Sequence, residues 1–211
     1  GRSRALGPAT TFDQQVDDLA GVVAGRASVL VGHSFGGVVC LALAERRPDL
    51  APAVLAYEAP RMWEPWWPGM GADLVNRRPG LDGGEDLDPG DAAESMLRRL
   101  IGDDLWERLP ARTRAERRAE GPALLADLHT VRPPAPPPFT AAALVMPVLA
   151  ARGSEARPHH RRATDELARA APRGELAVIE GASHGAHLSH PAAFAELVRR
   201  AVARAAGAAG S

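Results

Sequence analysis

Between Ser28 and Pro48 the chain reads SVLVGHSFGGVVCLALAERRP, and no other stretch limits the possible folds as strongly. Its first part, Ser28 to Val31, is short, apolar and rich in β-branched residues with no polar alternation, which predicts a strand buried on both faces of a parallel sheet. Val38, Leu41, Ala42 and Ala44 then recur on one face of a helix that Pro48 closes. Ser34 stands at the seam, within Gly32-His33-Ser34-Phe35-Gly36. A strand that turns abruptly into a helix strains the residue at the bend, and small residues at 32 and 36 let the two backbones approach. With 21 glycines in 211 residues and eight serines, such flanking arises by chance somewhere in roughly one chain in twelve. The strand before it and the helix after it separate this instance from chance.

The same alternation extends along the chain. Thr11-Phe12-Asp13-Gln14 fits a capping box, and Phe12, Val16, Leu19, Val22 and Val23 follow at helical spacing up to Gly25. Ala53 to Tyr57 reads as a second buried strand. From about Pro60 to Thr140 the pattern becomes helical without strands, with pieces at Asp91 to Ile101 and Arg112 to Leu128, and it ends in the proline-rich RPPAPPPFT. Strand Leu144 to Ala151, helix Arg162 to Ala170, strand Leu176 to Glu180 and a last helix opening at Pro191 then resume the rhythm. Strands alternating with helices imply right-handed crossovers and a mostly parallel α/β sheet with flanking helices. The expected organisation is one domain over residues 1–211 with a helical cap inserted at about 60–140, since a chain of this length buries roughly 70% of its surface on folding.

A net charge of −1 provides no basic field for nucleic acid or an anionic membrane surface. All 25 basic residues are arginine, which reads as a coding bias. No segment reaches the length of about 18 apolar residues that a membrane span requires. Cys40 is the only cysteine, so no internal disulfide is possible and a cytoplasmic location is expected.

Chemistry concentrates at the seam. The turn sets the Phe35 amide at a helix N-terminus, where unpaired N–H groups and the helix dipole favour negative charge. A serine hydroxyl needs a base within hydrogen-bond reach before it becomes nucleophilic, and histidine is the usual one. Of seven histidines, His184 lies in LAVIEGASHGAHLSH, just past the carboxyl end of the last predicted strand, where α/β sheets expose their sites. His187 and His190 follow at three-residue intervals, but no carboxylate or cysteine joins them at ligand spacing, so no metal or other cofactor is expected. His33 reads as a packing or hydrogen-bonding residue. His129, His159 and His160 lie in polar contexts that suggest the surface.

With VLVGHSFGG and GASHGAHLSHP in place, the chain resembles the α/β-hydrolase family over nearly its whole length. The resemblance implies a nucleophile elbow at Ser34, His184 as general base, Phe35 N–H as one oxyanion donor, and a carboxylate that orients the imidazole. In family members that acid commonly follows the penultimate strand, where Glu155 is the only candidate in RGSEARP; Glu58, ending AVLAYE, is the alternative. The implied reaction is acyl transfer to water from an ester, thioester or lactone, a small-molecule acyl substrate. Transfer to another acceptor and a non-catalytic binding protein are the alternatives. Trp63, Trp66 and Trp67, with Met62 and Met70, are candidates for an apolar acyl site. The run ARTRAERRAE reads as a solvated helix face. The opening GRSRALGPATTFDQQVDDL resembles the end of a family segment, so upstream strands and a His-Gly loop carrying the second oxyanion donor are expected to precede it. Lacking that donor, turnover is expected to fall on the order of 100 to 1,000-fold.

Overall fold

A computed structural model describes residues 11–68, 88–131 and 136–208. They fall into two compact units that divide near Met62 and Ala135.

The unit formed by Phe12–Arg61 and Pro136–Ser211 holds a four-stranded parallel sheet in sequential order, β1 (Leu30–His33), β2 (Val54–Tyr57), β3 (Val148–Gly153) and β4 (Gly174–Ile179). Register is uniform: His33 pairs with Tyr57, Tyr57 with Ala151 and Ala151 with Ala177. The carboxyl ends of all four strands therefore share one edge. Helix α1 (Phe12–Val23) packs on α2 (Phe35–Arg46), and α2 packs against β1 and β2. Eight consecutive residues of α2, Gly37 to Ala44, are buried, so this helix is apolar all round, as an interior helix must be.

Leu55, Tyr57, Leu149, Ala151, Ala177 and Ile179 form one face of the core with Leu197 and Ala201 of the last helix, Pro191–Ala208. All of β2 is buried, as its unbroken apolar run predicts. Strand β1 differs from expectation. It begins at Leu30 rather than Ser28, because the ladder to β2 starts at the Leu30 to Val54 pairing. Val31 is 42% exposed because β1 lies at the end of the strand order.

Strand β3 begins only after Pro147, four residues later than Leu144. Leu144 is nonetheless fully buried, next to a single 3-10 turn at Ala141–Ala143. Pro158 opens the helix that follows β3, at Pro158–Ala170, four residues before the expected start.

The other unit contains α3 (Pro89–Ile101), α4 (Asp103–Arg108), α5 (Ala111–Ala119) and α6 (Gly121–Thr130). The single helix expected over Arg112 to Leu128 is two, broken around Gly121-Pro122. Asp88 caps α3, its Oδ1 accepting from Asp91 N–H at 3.0 Å. Trp106 anchors this unit: it is 1% exposed, and its indole N–H donates to Glu94 Oε1 at 3.1 Å. Arg98 and Arg118 both bond Glu94 as well. The arginine-rich α5 buries no residue, and its Arg114 and Arg118 pair with carboxylates of neighbouring helices.

The helix Pro158–Ala170 is α7, the short helix Ala186–Ser189 is α8 and the last helix is α9.

Candidate active site

Ser34 follows β1 directly, with φ 52° and ψ −128°, a conformation that L-residues seldom adopt. Its N–H continues the sheet ladder to Tyr57 O at 2.9 Å, and its carbonyl accepts from Gly37 N–H at 2.8 Å. A serine preceding a helix ordinarily uses its hydroxyl to cap the first turn. Here the side chain makes no capping bond, and Ser34 Oγ has no hydrogen-bond partner among the described residues, His184 included. The bend leaves the hydroxyl uncommitted. Phe35 is the first residue of α2, so its N–H has no carbonyl four residues back to bond. The Phe35 ring packs edge-on against Phe12 with centroids 6.1 Å apart.

The close approach at this bend involves a different glycine pair from the expected one. A Cβ on Gly32 would lie 2.5 Å from Gly37 Cα, and one on Gly37 would lie 2.9 Å from Ala59 Cβ. A Cβ on Gly36 would meet nothing within 4 Å. Gly32 and Gly37, not Gly36, let strand and helix touch.

One strand over, Glu58 occupies the equivalent position after β2. It too has a positive φ, 45°, and its side chain is fully buried. Its N–H donates to Ala151 O at 2.8 Å. Its two carboxylate oxygens have separate partners: Oε1 accepts from Gly153 N–H at 3.1 Å, and Oε2 faces His184 Nδ1 at 2.8 Å. Burial alone raises the carboxyl pKa, but the bonds from His184 and Gly153 outweigh it and hold Glu58 below the usual carboxylate range.

The carboxylate beside His184 is therefore Glu58, and the preference for Glu155 is corrected. Glu155 is exposed, and its backbone N–H bonds Ala182 O at 2.9 Å, anchoring the loop instead. Gly153 permits this arrangement: any Cβ there would come within 1.9 Å of Ala182 O.

The His184 loop is held by two side chains from neighbouring strands. Tyr57 OH donates to Ser183 O at 2.9 Å, and His33 Nε2–H donates to His184 O at 2.7 Å. Burial, then the nearby His184, lowers the His33 pKa to about 4, so this donor is a neutral imidazole at pH 7. With Nδ1–H directed at Glu58, neutral His184 carries its lone pair on Nε2.

Sequence reasoning missed His160. It is 6% exposed rather than on the surface, and its ring centroid lies 4.9 Å from that of His184. Burial first, then His184, lowers its pKa to about 3, although hydrogen bonding to the Glu58 backbone opposes this. The signal was present in Pro158: a proline at N1 places His160 in the first turn of a helix that leaves the carboxyl edge of β3. Glu58, His160 and His184 gather three potential ligand atoms within 4.8 Å of one another. His187 and His190 belong to no such group among the described residues; the His187 ring lies 4.7 Å from that of His33, and His190 Nδ1 bonds Ser189 Oγ at 2.8 Å.

Trp63, Trp66 and Trp67 are half-buried residues of the second unit, with the rings of Trp66 and Trp67 6.0 Å apart. Met70 lies outside the described residues.

A family model described as the alpha/beta hydrolase family matches residues 1–197. No curated protein sequence matches the chain. Among solved structures, a hydrolase from Pseudomonas aeruginosa PA01 superposes with a TM-score of 0.70 at 20% identity, over 93% of this chain and 73% of that one. A thermophilic esterase from Thermogutta terrifontis gives a TM-score of 0.69 at 22% identity, over 95% and 75%. The enol-lactonase from Burkholderia xenovorans LB400 gives 0.67 at 20% identity, over 94% and 75%. At these identities the superpositions speak to the fold.

Proposed function

Because the chain belongs to the alpha/beta hydrolase family, we propose that it is a serine hydrolase acting on an ester, thioester or lactone through Ser34, His184 and Glu58. The observation that carries this reading is the buried Glu58 carboxylate 2.8 Å from His184 Nδ1, at the same sheet edge as a strained Ser34.

Ser34 Oγ attacks the acyl carbonyl carbon while His184 Nε2 takes the hydroxyl proton. Glu58 fixes the tautomer and stabilises the imidazolium that forms. The Phe35 N–H, at the start of α2, donates to the carbonyl oxygen as it gains negative charge. Collapse of the tetrahedral intermediate returns the proton to the leaving alcohol or thiol, or to the ring oxygen of a lactone. Water, deprotonated by the same imidazole, then frees the acid. An unbonded hydroxyl suits this scheme, since catalytic hydrogen bonds often tighten only around substrate.

A cytoplasmic location is part of this proposal, and the single buried Cys40 requires no oxidising compartment. Among the described residues no helix is long and apolar enough to cross a membrane.

A fluorophosphonate probe tests the proposal. Covalent labelling that disappears in Ser34→Ala supports a serine hydrolase. A folded chain that never labels overturns this reading in favour of a non-catalytic binder. Trp63→Ala and Trp66→Ala variants, assayed on short and long acyl esters, test the acyl-contact role expected of the tryptophans.

A further inference from the structure

We propose that Glu58, His160 and His184 form an inhibitory site for a zinc-type divalent cation, an inference that rests on the serine hydrolase reading only for its effect on turnover. Three elements converge to make it. Glu58 directly follows β2, His160 lies in the first turn of α7, and His184 sits in the loop after β4. The potential ligand atoms all lie within 4.8 Å of one another, and Glu58 Oε2 faces His184 Nδ1 at 2.8 Å. Zinc holds imidazole nitrogen and carboxylate oxygen at about 2.0 to 2.2 Å, which places neighbouring ligands of a tetrahedral ion about 3.3 Å apart. The 2.8 Å contact is shorter than that value and all three donors lie within 4.8 Å of one another, so closing the site takes side-chain rotation that opens the Glu58–His184 contact.

Two of the three ligand residues are also held from behind, as metal ligands usually are. Gly153 N–H holds Glu58 Oε1, and His33 and Tyr57 hold the carbonyls of His184 and Ser183. Two imidazoles and one carboxylate suit zinc and its first-row neighbours. Magnesium and calcium prefer oxygen ligands throughout.

A cation between Glu58 and His184 takes the place of the Nδ1 proton. That proton reaches Nε2 through solvent, and the imidazole remains neutral. Nε2 then carries a hydrogen where it had a lone pair and cannot accept the proton of Ser34. The cation thus blocks the base without touching the nucleophile.

Calorimetric titration of the full chain with zinc chloride, beside magnesium chloride, tests the site. The expected result is one zinc per chain in the wild type and in Ser34→Ala, binding at least ten-fold weaker in His160→Gln, and no magnesium uptake. Zinc should slow fluorophosphonate labelling of the wild type and EDTA should restore it, and the ratio of labelling rates with and without zinc should move toward unity in His160→Gln. Zinc taken up equally by wild type and His160→Gln, or not at all, overturns the site. Should His160→Gln fail to fold, imidazole NMR of the wild type decides: zinc must perturb His160 and His184, and perturbation confined to other histidines overturns it. A chain that never labels yet binds zinc at His160 refutes the hydrolase reading and leaves the metal site standing.

Discussion

Glu58 Oε2 and His184 Nδ1 lie 2.8 Å apart although 126 positions separate them in the sequence. The pairing follows from sheet order. Strands β2, β3 and β4 are neighbours in register, so the residue just after β2 and the loop after β4 need only span β3, and Gly153 at the end of β3 bonds the same carboxylate. A glutamine at 58 keeps the shape but can present its amide N–H₂ to Nδ1, favouring the wrong tautomer. Glu58→Gln is expected to lower kcat on a short acyl ester on the order of 10,000-fold. Glu155→Gln, at an exposed position, is expected to leave kcat unchanged. The reverse ranking would remove Glu58 from the mechanism.

The two glycines flanking Ser34 in the motif are not equivalent. An added Cβ at Gly32 meets the backbone of Gly37 at 2.5 Å, and neither strand nor helix can retreat without breaking the turn. Gly32→Ala is expected to destabilise the fold by about 3 kcal/mol or more, an overpacking effect at the upper end of its range. Gly36 lies within α2 with open space around it. Gly36→Ala is expected to stabilise by about 0.5 to 1 kcal/mol, as glycine removal from a helix does. Urea unfolding of both variants measures the contrast.

The fold was legible because it rests on local patterns. The apolar run of β2, the proline that opens α9 and the helix after Ser34 each carry their own signal in consecutive residues. Strand starts drifted at β1 and β3, where hydrophobicity begins before the ladder: Leu144 and Val29 pack as apolar residues without pairing. Ser34 was readable from its glycines and flanking elements, and His184 from its place after the last strand. The Glu58 pairing was harder to read, because only the register of three strands decides which of two glutamates meets the imidazole. His160 was lost to its neighbours: a polar run reads as surface, yet one turn of α7 directs this ring inward beside His184.

Two buried neutral imidazoles make stability depend on pH. His160 is faced by Glu58, His159 and His184, and His33 by His184, His187, Tyr57 and Glu58. Their folded pKa values, about 3 and about 4, lie below the ordinary 6.5. Between those values and 6.5 the unfolded chain binds more protons, so stability is fully present above pH 6.5 and declines as pH falls toward 4. Thermal melting in EDTA-containing buffers should show the midpoint dropping across that window. His160→Gln should flatten the drop, and an unchanged slope would mean that His160 is solvated.

Cys40 offers an independent probe of the helix that carries Ser34. Its side chain is 6% exposed within the buried run of α2, and burial raises the thiol pKa to about 11. Both access and thiolate population are therefore low at neutral pH, and the thiolate is the reactive form. Iodoacetamide is expected to leave the native chain unmodified and to alkylate this single cysteine only as urea populates the unfolded state. The labelling rate should then track the unfolding equilibrium, because the unfolded chain supplies the reactive population. Gly32→Ala should accelerate labelling in proportion to its loss of stability, whereas Gly36→Ala should slow it. Rapid alkylation of the wild type without denaturant would mean that α2 does not pack against β1 and β2, and the bend at Ser34 would lose its support.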